Sequence, residues 1–242
     1  MNLVIDRGNT LVKLGVFKDQ KLILKTEAQE NEVFQKLQML LDQYSFKKIL
    51  IATTADVNKI VTFLNNQGLS VKLLDHKMQM PFINRYKSPE TLGLDRMALA
   101  AAAVKNHPAK AVLVIDAGTC ITYDLKTNKE EYLGGAISPG LTMRFKALNT
   151  FTEKLPVTKA ETLPQLIGQN TLESMHSGVV NGIIAEIEGI IARYKTEYPD
   201  LEIIFTGGDA QFLSKSLKNG IFANFNFLLE GLDYIIEFNK TQ

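Results

Sequence analysis

Leu3, Val4 and Ile5 form an unbroken apolar run that stops at Asp6, after which apolar residues return at every second position, Val12, Leu14 and Val16. A buried-type run followed by period-two alternation predicts a strand, a turn and a second strand. A third strand follows Lys18-Asp19-Gln20, so residues 2–26 read as three strands. The period then lengthens: Val33, Phe34, Leu37, Leu40 and Leu41 lie on one helical face between Glu30 and Tyr44. Ile49–Ala52 is a buried-type strand, Val57–Leu64 a short helix and Val71–Leu74 a further strand. Residues 75–90, with Pro81, Tyr86 and Pro89, read as a loop of a length that is usually functional or disordered. A helix carrying Met97, Leu99, Ala100, Ala103 and Val104 follows and ends at Asn106-His107-Pro108.

The plan then starts again. Val112–Ile115 runs into Asp116, Gly118 and Thr119 form the turn, and Ile121 and Tyr123 resume the alternation. The expected elements are strands 111–116, 119–125 and 130–133, a glycine loop at 134–140 and a helix over 141–150. An irregular stretch, 151–170, precedes a long helix, 171–195. A strand at Glu202–Phe205, the turn Thr206-Gly207-Gly208-Asp209 into another helix, and an amphipathic helix at Phe227–Phe238 close the chain. Leu3-Val4-Ile5-Asp6-Arg7-Gly8-Asn9-Thr10 lines up with Leu113-Val114-Ile115-Asp116-Ala117-Gly118-Thr119, which points to a duplicated α/β fold. Residues 1–109 and 110–242 are the two expected domains. The strand and helix order of the first half resembles the ribonuclease-H-like unit of actin, the heat-shock chaperones and sugar kinases. The expectation is therefore two duplicated ribonuclease-H-like (actin-like ATPase) domains with a cleft between them.

Bulk properties narrow the classes. At 242 residues the chain has room for two domains, each with its own core. A net charge of +1 indicates no polyanion-binding surface, so a nucleic-acid partner is not expected. Cys120 is the single cysteine, which excludes an intramolecular disulfide and points to a reducing, cytoplasmic setting. Met1 leads straight into a strand pattern, without a basic segment and apolar core, so no secretory leader is expected. No apolar run approaches the ~20 residues that span a bilayer, so no membrane partner is expected.

The chemistry sits in the turns. Asp6-Arg7-Gly8-Asn9-Thr10, with Lys13 beyond, suits a cradle of backbone N–H groups, a hydroxyl and an ammonium around phosphate oxygens. An ordinary hairpin turn uses the same residue types, and the duplicate at Asp116–Thr119 favours the cradle. Asp116 would hold a cation, since a carboxylate among phosphates otherwise repels its ligand. In Gly93-Leu94-Asp95-Arg96, at a helix start, Asp95 suits proton acceptance and Arg96 an anion; a dipole-favoured acid beside a solvated arginine is the other reading. Gly134-Gly135 and Pro139-Gly140 allow close backbone approach or simply connect elements. Thr171 either caps its helix or donates to a substrate, the cap being the simpler reading. Tyr86 either covers a small ligand or packs on its domain. His76, His107 and His176 lack metal-ligand spacing, and Cys120 is read as filling a small buried space beside Thr119.

Six strings in this order resemble type III pantothenate kinases: DRGNT at 6–10, GLDR at 93–96, DAGT at 116–119, GGAISPG at 134–140, IGQNTLESMHSG at 167–178 and TGGDA at 206–210. The resemblance implies transfer of the ATP γ-phosphoryl group to the 4′-hydroxyl of pantothenate, the first step of coenzyme A synthesis. It further implies that Asp6, Arg7, Gly8, Asn9, Thr10, Leu11, Val12, Lys13 and Thr119 bind ATP with its Mg²⁺. By the same resemblance, Asp116 holds a monovalent cation, K⁺ or NH₄⁺, and Asp95 is the general base. Tyr86, Gly93, Leu94, Asp95, Arg96 and Thr171 bind pantothenate, and the protein is a homodimer. Arg7 departs from the usual small or apolar residue and adds a charge at the edge of the first turn; Cys120 departs from a usual alanine. A kinase for another small alcohol and a non-catalytic nucleotide-binding regulator on the same fold are the alternatives.

Overall fold

Backbone pairing makes the first apolar run the centre of a sheet. In the computed structural model, which describes residues 1–8, 11–53, 55–217 and 221–240, strand β1 (Asn2–Arg7) pairs antiparallel with β2 (Val12–Lys18), and β2 with β3 (Lys21–Ala28). Helix α1 (Val33–Gln43) leads to β4 (Lys48–Thr53), parallel to β1, and α2 (Asn58–Asn66) leads to β5 (Val71–Leu73), parallel to β4. The sheet order is β3-β2-β1-β4-β5. Leu3, Val4 and Ile5 have no exposed surface, the state of a strand covered on both faces, which is why their run is continuous rather than alternating. Val33, Leu37, Leu40, Ile60 and Leu64 from the two helices join Leu3 and Ile5 in one core. The segment expected as a loop also holds a short strand, β6 (Ile83–Asn84), before α3 (Leu94–Asn106).

The second sheet repeats the first. Its β7 (Val112–Ala117) pairs antiparallel with β8 (Cys120–Lys126), and β9 (Glu131–Pro139) lies beyond β8. After α4 (Leu141–Thr150), α5 (Thr171–His176) and α6 (Gly182–Glu197), strand β10 (Glu202–Thr206) runs parallel to β7. A short α7 (Ala210–Leu213) precedes β11 (Ile221–Ala223), parallel to β10. The order β11-β10-β7-β8-β9-β6 matches the first sheet over its first five strands, and β6, parallel to β9, is an added edge strand. Leu113, Ile115, Tyr123, Ile183, Ile187 and Phe205 lie in its core.

Three sequence expectations change. The stretch 134–140 is mostly strand, not loop: β9 continues to Pro139, and its backbone groups find partners on β8. Gly135 allows this, because a Cβ there would overlap the Tyr123 carbonyl. The helix expected at 171–195 is interrupted at Ser177–Asn181 by a π-helical turn between α5 and α6.

The third change concerns the domains. The chain packs as one unit of Met1–Pro108, Glu130–Tyr132 and Asn226–Gln242, and a second of Ala109–Lys129 and Leu133–Phe225. The closing helix α8 (Phe227–Phe238), expected in the second domain, thus packs in the first, against α3 and the β1–β4 region. It buries Phe227, Leu229, Leu232 and Ile235, and Gly231 brings its bare backbone onto the Ala98 carbonyl. Among the described residues no helix is long and apolar enough to cross a membrane. Replacing Gly231 with valine should force these helices apart. The expected loss is about 3 kcal/mol, read as a lower melting temperature.

Candidate active site

The β1–β2 register sets Asp6 opposite Lys13, and directly opposed residues share a face. Lys13 Nζ lies 3.7 Å from Asp6 Oδ2. Burial pushes the Asp6 carboxyl up, Lys13 draws it back, and the negative charge of Asp95 raises it again, leaving it at about 6. The Gly8 N–H donates to the Leu11 carbonyl at 3.2 Å, closing the turn; Asn9 and Thr10 lie outside the described residues. Val12 is buried in the core, so its backbone is what it offers the turn. Arg7 turns its guanidinium to Glu30 at 2.9 Å, so the extra charge at the edge is paired.

Helix α3 brings a second group of residues to this unit's site. Its N-terminal cap is Gly93, where a Cβ would collide with Asp95 Oδ1. The glycine therefore lets the Asp95 carboxylate fold back, with Oδ1 accepting the Arg96 N–H at 2.8 Å. His76 Nε2 sits 2.7 Å from the Leu92 carbonyl oxygen and fixes the approach to this turn. Arg96 is not solvated: it is 5% exposed, with its guanidinium carbon 5.7 Å from the centre of the Tyr86 ring, a cation–π contact. Tyr86 in turn packs near Tyr132, their ring centres 6.3 Å apart. Tyr86, Gly93, Asp95 and Arg96 thus form one cluster, with Leu94 in its first helical turn, and the charge of Asp95 is felt at Asp6.

In the second unit the β7–β8 register sets Asp116 opposite Thr122. The Gly118 N–H donates to the Cys120 carbonyl at 2.9 Å, leaving Thr119 exposed at the tip and Cys120 partly buried rather than filling a closed space. Two further segments close on this turn. Gly140 donates its N–H to the Thr119 carbonyl at 3.1 Å, and a Cβ on it would overlap the Gly118 and Thr119 carbonyls. Gly207, at φ +100°, lies against the Ala117 carbonyl and the Asp116 carboxylate, and the Asp209 N–H donates to the Ala117 carbonyl at 2.9 Å. Burial holds the Asp209 carboxyl above its ordinary range.

The donors around Asp116 suit a hard cation. Thr122 Oγ1, opposite Asp116, is buried and has no hydrogen-bond partner among the described residues. A carboxylate, a hydroxyl and nearby carbonyls offer oxygen alone. Among the described residues no cluster of three or more His, Cys, Asp or Glu side chains suits a metal ion. A divalent ion here would instead lean on substrate phosphates.

Thr171 is the first residue of α5, and its neighbour Asn170 is the cap: Asn170 Oδ1 accepts the Glu173 N–H at 3.0 Å, and Glu173 Oε2 accepts the Gln169 N–H at 2.8 Å. Thr171 instead lines a cavity of about 740 Å³ with Arg144, Leu148, Leu155, Met175 and Val179. The sequence reading did not single out Thr122, Asn170 or Asp209. Two had a signal: Thr122, whose place across the second hairpin corresponds to Lys13 in the first, and Asn170, three residues before Glu173.

A profile of the type III pantothenate kinase family matches residues 2–193. The chain belongs to this family. It is 50% identical to the type III pantothenate kinase of Christiangramia forsetii over 243 residues, covering 100% of each chain. It is 42% identical to that of Flavobacterium johnsoniae, covering 98% of each. Among solved structures it resembles a protein described as a Baf family transcriptional activator from Campylobacter jejuni, with a TM-score of 0.64 at 23% identity, covering 99% of this chain and 100% of that one. It also resembles a ROK hexokinase from Thermus thermophilus, with a TM-score of 0.53 at 12% identity, covering 98% and 99%. At these identities the likeness is one of fold, the two-sheet actin-like ATPase fold.

The raised carboxyl of Asp6 has a stability sign. Folded Asp6 holds its proton to about pH 6 whereas an unfolded aspartate releases it near 3.8, so keeping it ionised in the fold costs stability above pH 6 and nothing below about pH 4. Asp6→Asn should therefore be more stable than the parent by about 3 kcal/mol at pH 8 and within about 1 kcal/mol of it at pH 4. Melting temperatures at the two pH values give the comparison.

Proposed function

We propose that this chain transfers the γ-phosphoryl group of ATP to the 4′-hydroxyl of pantothenate, giving 4′-phosphopantothenate, the first step of coenzyme A synthesis. The observation that carries the reading is family membership at 50% identity along the whole chain. The clustering of Tyr86, Gly93, Asp95 and Arg96 supports it from the geometry. Asp95 takes the hydroxyl proton: its Oδ1 is anchored by the Arg96 N–H, which aims the carboxylate from the first turn of α3. Arg96, held over Tyr86, answers the pantothenate carboxylate. Leu94 and Thr171 are further proposed contacts of pantothenate.

Asp6, Arg7, Gly8, Asn9, Thr10, Leu11, Val12 and Lys13 take the triphosphate with its Mg²⁺, Lys13 supplying positive charge, and Thr119 is a further proposed contact of ATP. Phosphoryl transfer passes through a loose transition state, so alignment and charge neutralisation account for most of the rate. K⁺ or NH₄⁺ at Asp116 would add positive charge beside the phosphates, and Thr122 supplies a second oxygen there. The working form is a cytoplasmic homodimer. Phe151, Val157, Leu166 and Ile167 are 85, 79, 80 and 78% exposed, an apolar stretch that a partner subunit would cover.

A coupled assay should record ATP- and pantothenate-dependent turnover that falls when K⁺ is replaced by Na⁺. Asp95→Asn should keep the parent's melting temperature and lose ~10²–10⁴-fold in kcat, the usual share of a general base. Phosphopantothenate formation by the variant at the parent's rate would remove Asp95 from this role.

A further inference from the structure

The second unit contains a partly buried polar linkage that the proposed reaction does not use. Glu186 on α6 accepts a hydrogen bond from the Tyr123 hydroxyl at 2.9 Å through Oε1, and from Arg144 Nη2 at 2.5 Å through Oε2. Arg144, on α4, also donates from Nη2 to Ser138 Oγ at 3.0 Å and from Nε to the Pro139 carbonyl at 2.9 Å. Tyr123 has no exposed surface, and the Arg144 and Glu186 side chains are only 22% and 25% exposed. Burial raises the Glu186 carboxyl, but hydrogen bonds from Arg144, Ser138 and Tyr123 and the charge of Arg144 outweigh it and hold the group below its ordinary range. Charge-assisted bonds of this kind fix geometry as well as adding energy.

What the linkage holds gives it significance. Ser138 and Pro139 end β9, and the next residue is Gly140, whose N–H binds the Thr119 carbonyl and whose bare backbone rests on Gly118 and Thr119. The path runs from Glu186 to Arg144, to the 138–139 backbone, to Gly140, and so to the tip of the Asp116–Thr119 turn. We infer that Glu186 and Arg144 are positioning residues, a clamp that sets the Thr119 turn for nucleotide by fixing the strand end that leans on it. The inference rests on the proposed contact between Thr119 and ATP. Arg144 also lines the cavity beside Thr171, so Glu186, which does not, is the cleaner test.

The test uses Glu186→Gln in the full-length protein, with a second variant, Ser138→Ala, that removes a single small contact. Two readings are taken: hydrogen exchange at the Gly140 amide, and the Kd of adenosine 5′-(β,γ-imido)triphosphate by calorimetry. Glu186→Gln should speed Gly140 exchange and weaken nucleotide binding about tenfold, with Ser138→Ala shifting both in the same direction by less. The KM for pantothenate should stay within about twofold of the parent's, whereas a purely structural loss would lower active fraction and leave nucleotide affinity unchanged. Unchanged Gly140 exchange in both variants overturns the clamp. Faster exchange with unchanged Kd overturns its bearing on nucleotide. Failure of the pantothenate reading shows separately, as a parent protein that binds the analogue yet phosphorylates no pantothenate.

Discussion

Two glycines let other stretches of backbone press onto the Asp116–Thr119 turn, and the rest of the second unit is arranged to permit that meeting. Gly140 rests on the carbonyls of Gly118 and Thr119, and Gly207 on Ala117 and the Asp116 carboxylate. A single methyl group at either place would occupy space that carbonyl oxygens already fill. Such contact brings the ends of β7, β9 and β10 together and concentrates peptide dipoles around one carboxylate. The first unit solves a related problem differently. There Gly93 makes room for a side chain, the folded-back carboxylate of Asp95.

The two hairpins share a backbone and differ in chemistry. Across from Asp6 stands an ammonium, and across from Asp116 a hydroxyl. A carboxylate facing Lys13 is partly neutralised within the protein, whereas one facing Thr122 has only neutral oxygen directly opposite. The same fold element, used twice, thus sets a cation across from one acid and a hydroxyl across from the other. Duplication supplied the scaffold, and the residue opposite the acid on the second strand separated the two uses.

Much of this is legible in the sequence because it is local. Apolar runs ending in Asp6 and Asp116 locate both central strands, and the repeat predicts the matched strand orders of the two sheets. What escapes is set by partners distant in the chain. Residues 134–140 look like a loop because glycine disfavours strands, yet β8 pairs with them and the missing side chains are what the contact requires. Helix α8 looks like the natural end of the second domain, and only the fit of Gly231 against Ala98 shows that it packs in the first unit. Arg144 and Glu186 meet across 42 positions, a separation at which no periodicity carries information. The helix cap is a nearer miss. Asn170 and Thr171 are both good caps, and Glu173, three residues after Asn170, decides between them: its N–H donates to Asn170 Oδ1 while its carboxylate accepts the Gln169 N–H just before the cap.

The widened turn at Ser177–Asn181 has a consequence for how this chain can change over time. It lets Met175 and Val179 on one side and Ile183, Ile187 and Ile191 on the other all reach the same core. Deleting one residue there would leave a regular helix but rotate α5 by about 100° relative to α6. Thr171 would then swing off the cavity wall, or the isoleucines out of the core. Insertions and deletions should therefore accumulate in the irregular 151–170 stretch, while the length from Thr171 to Ile191 stays fixed across descendants of this gene.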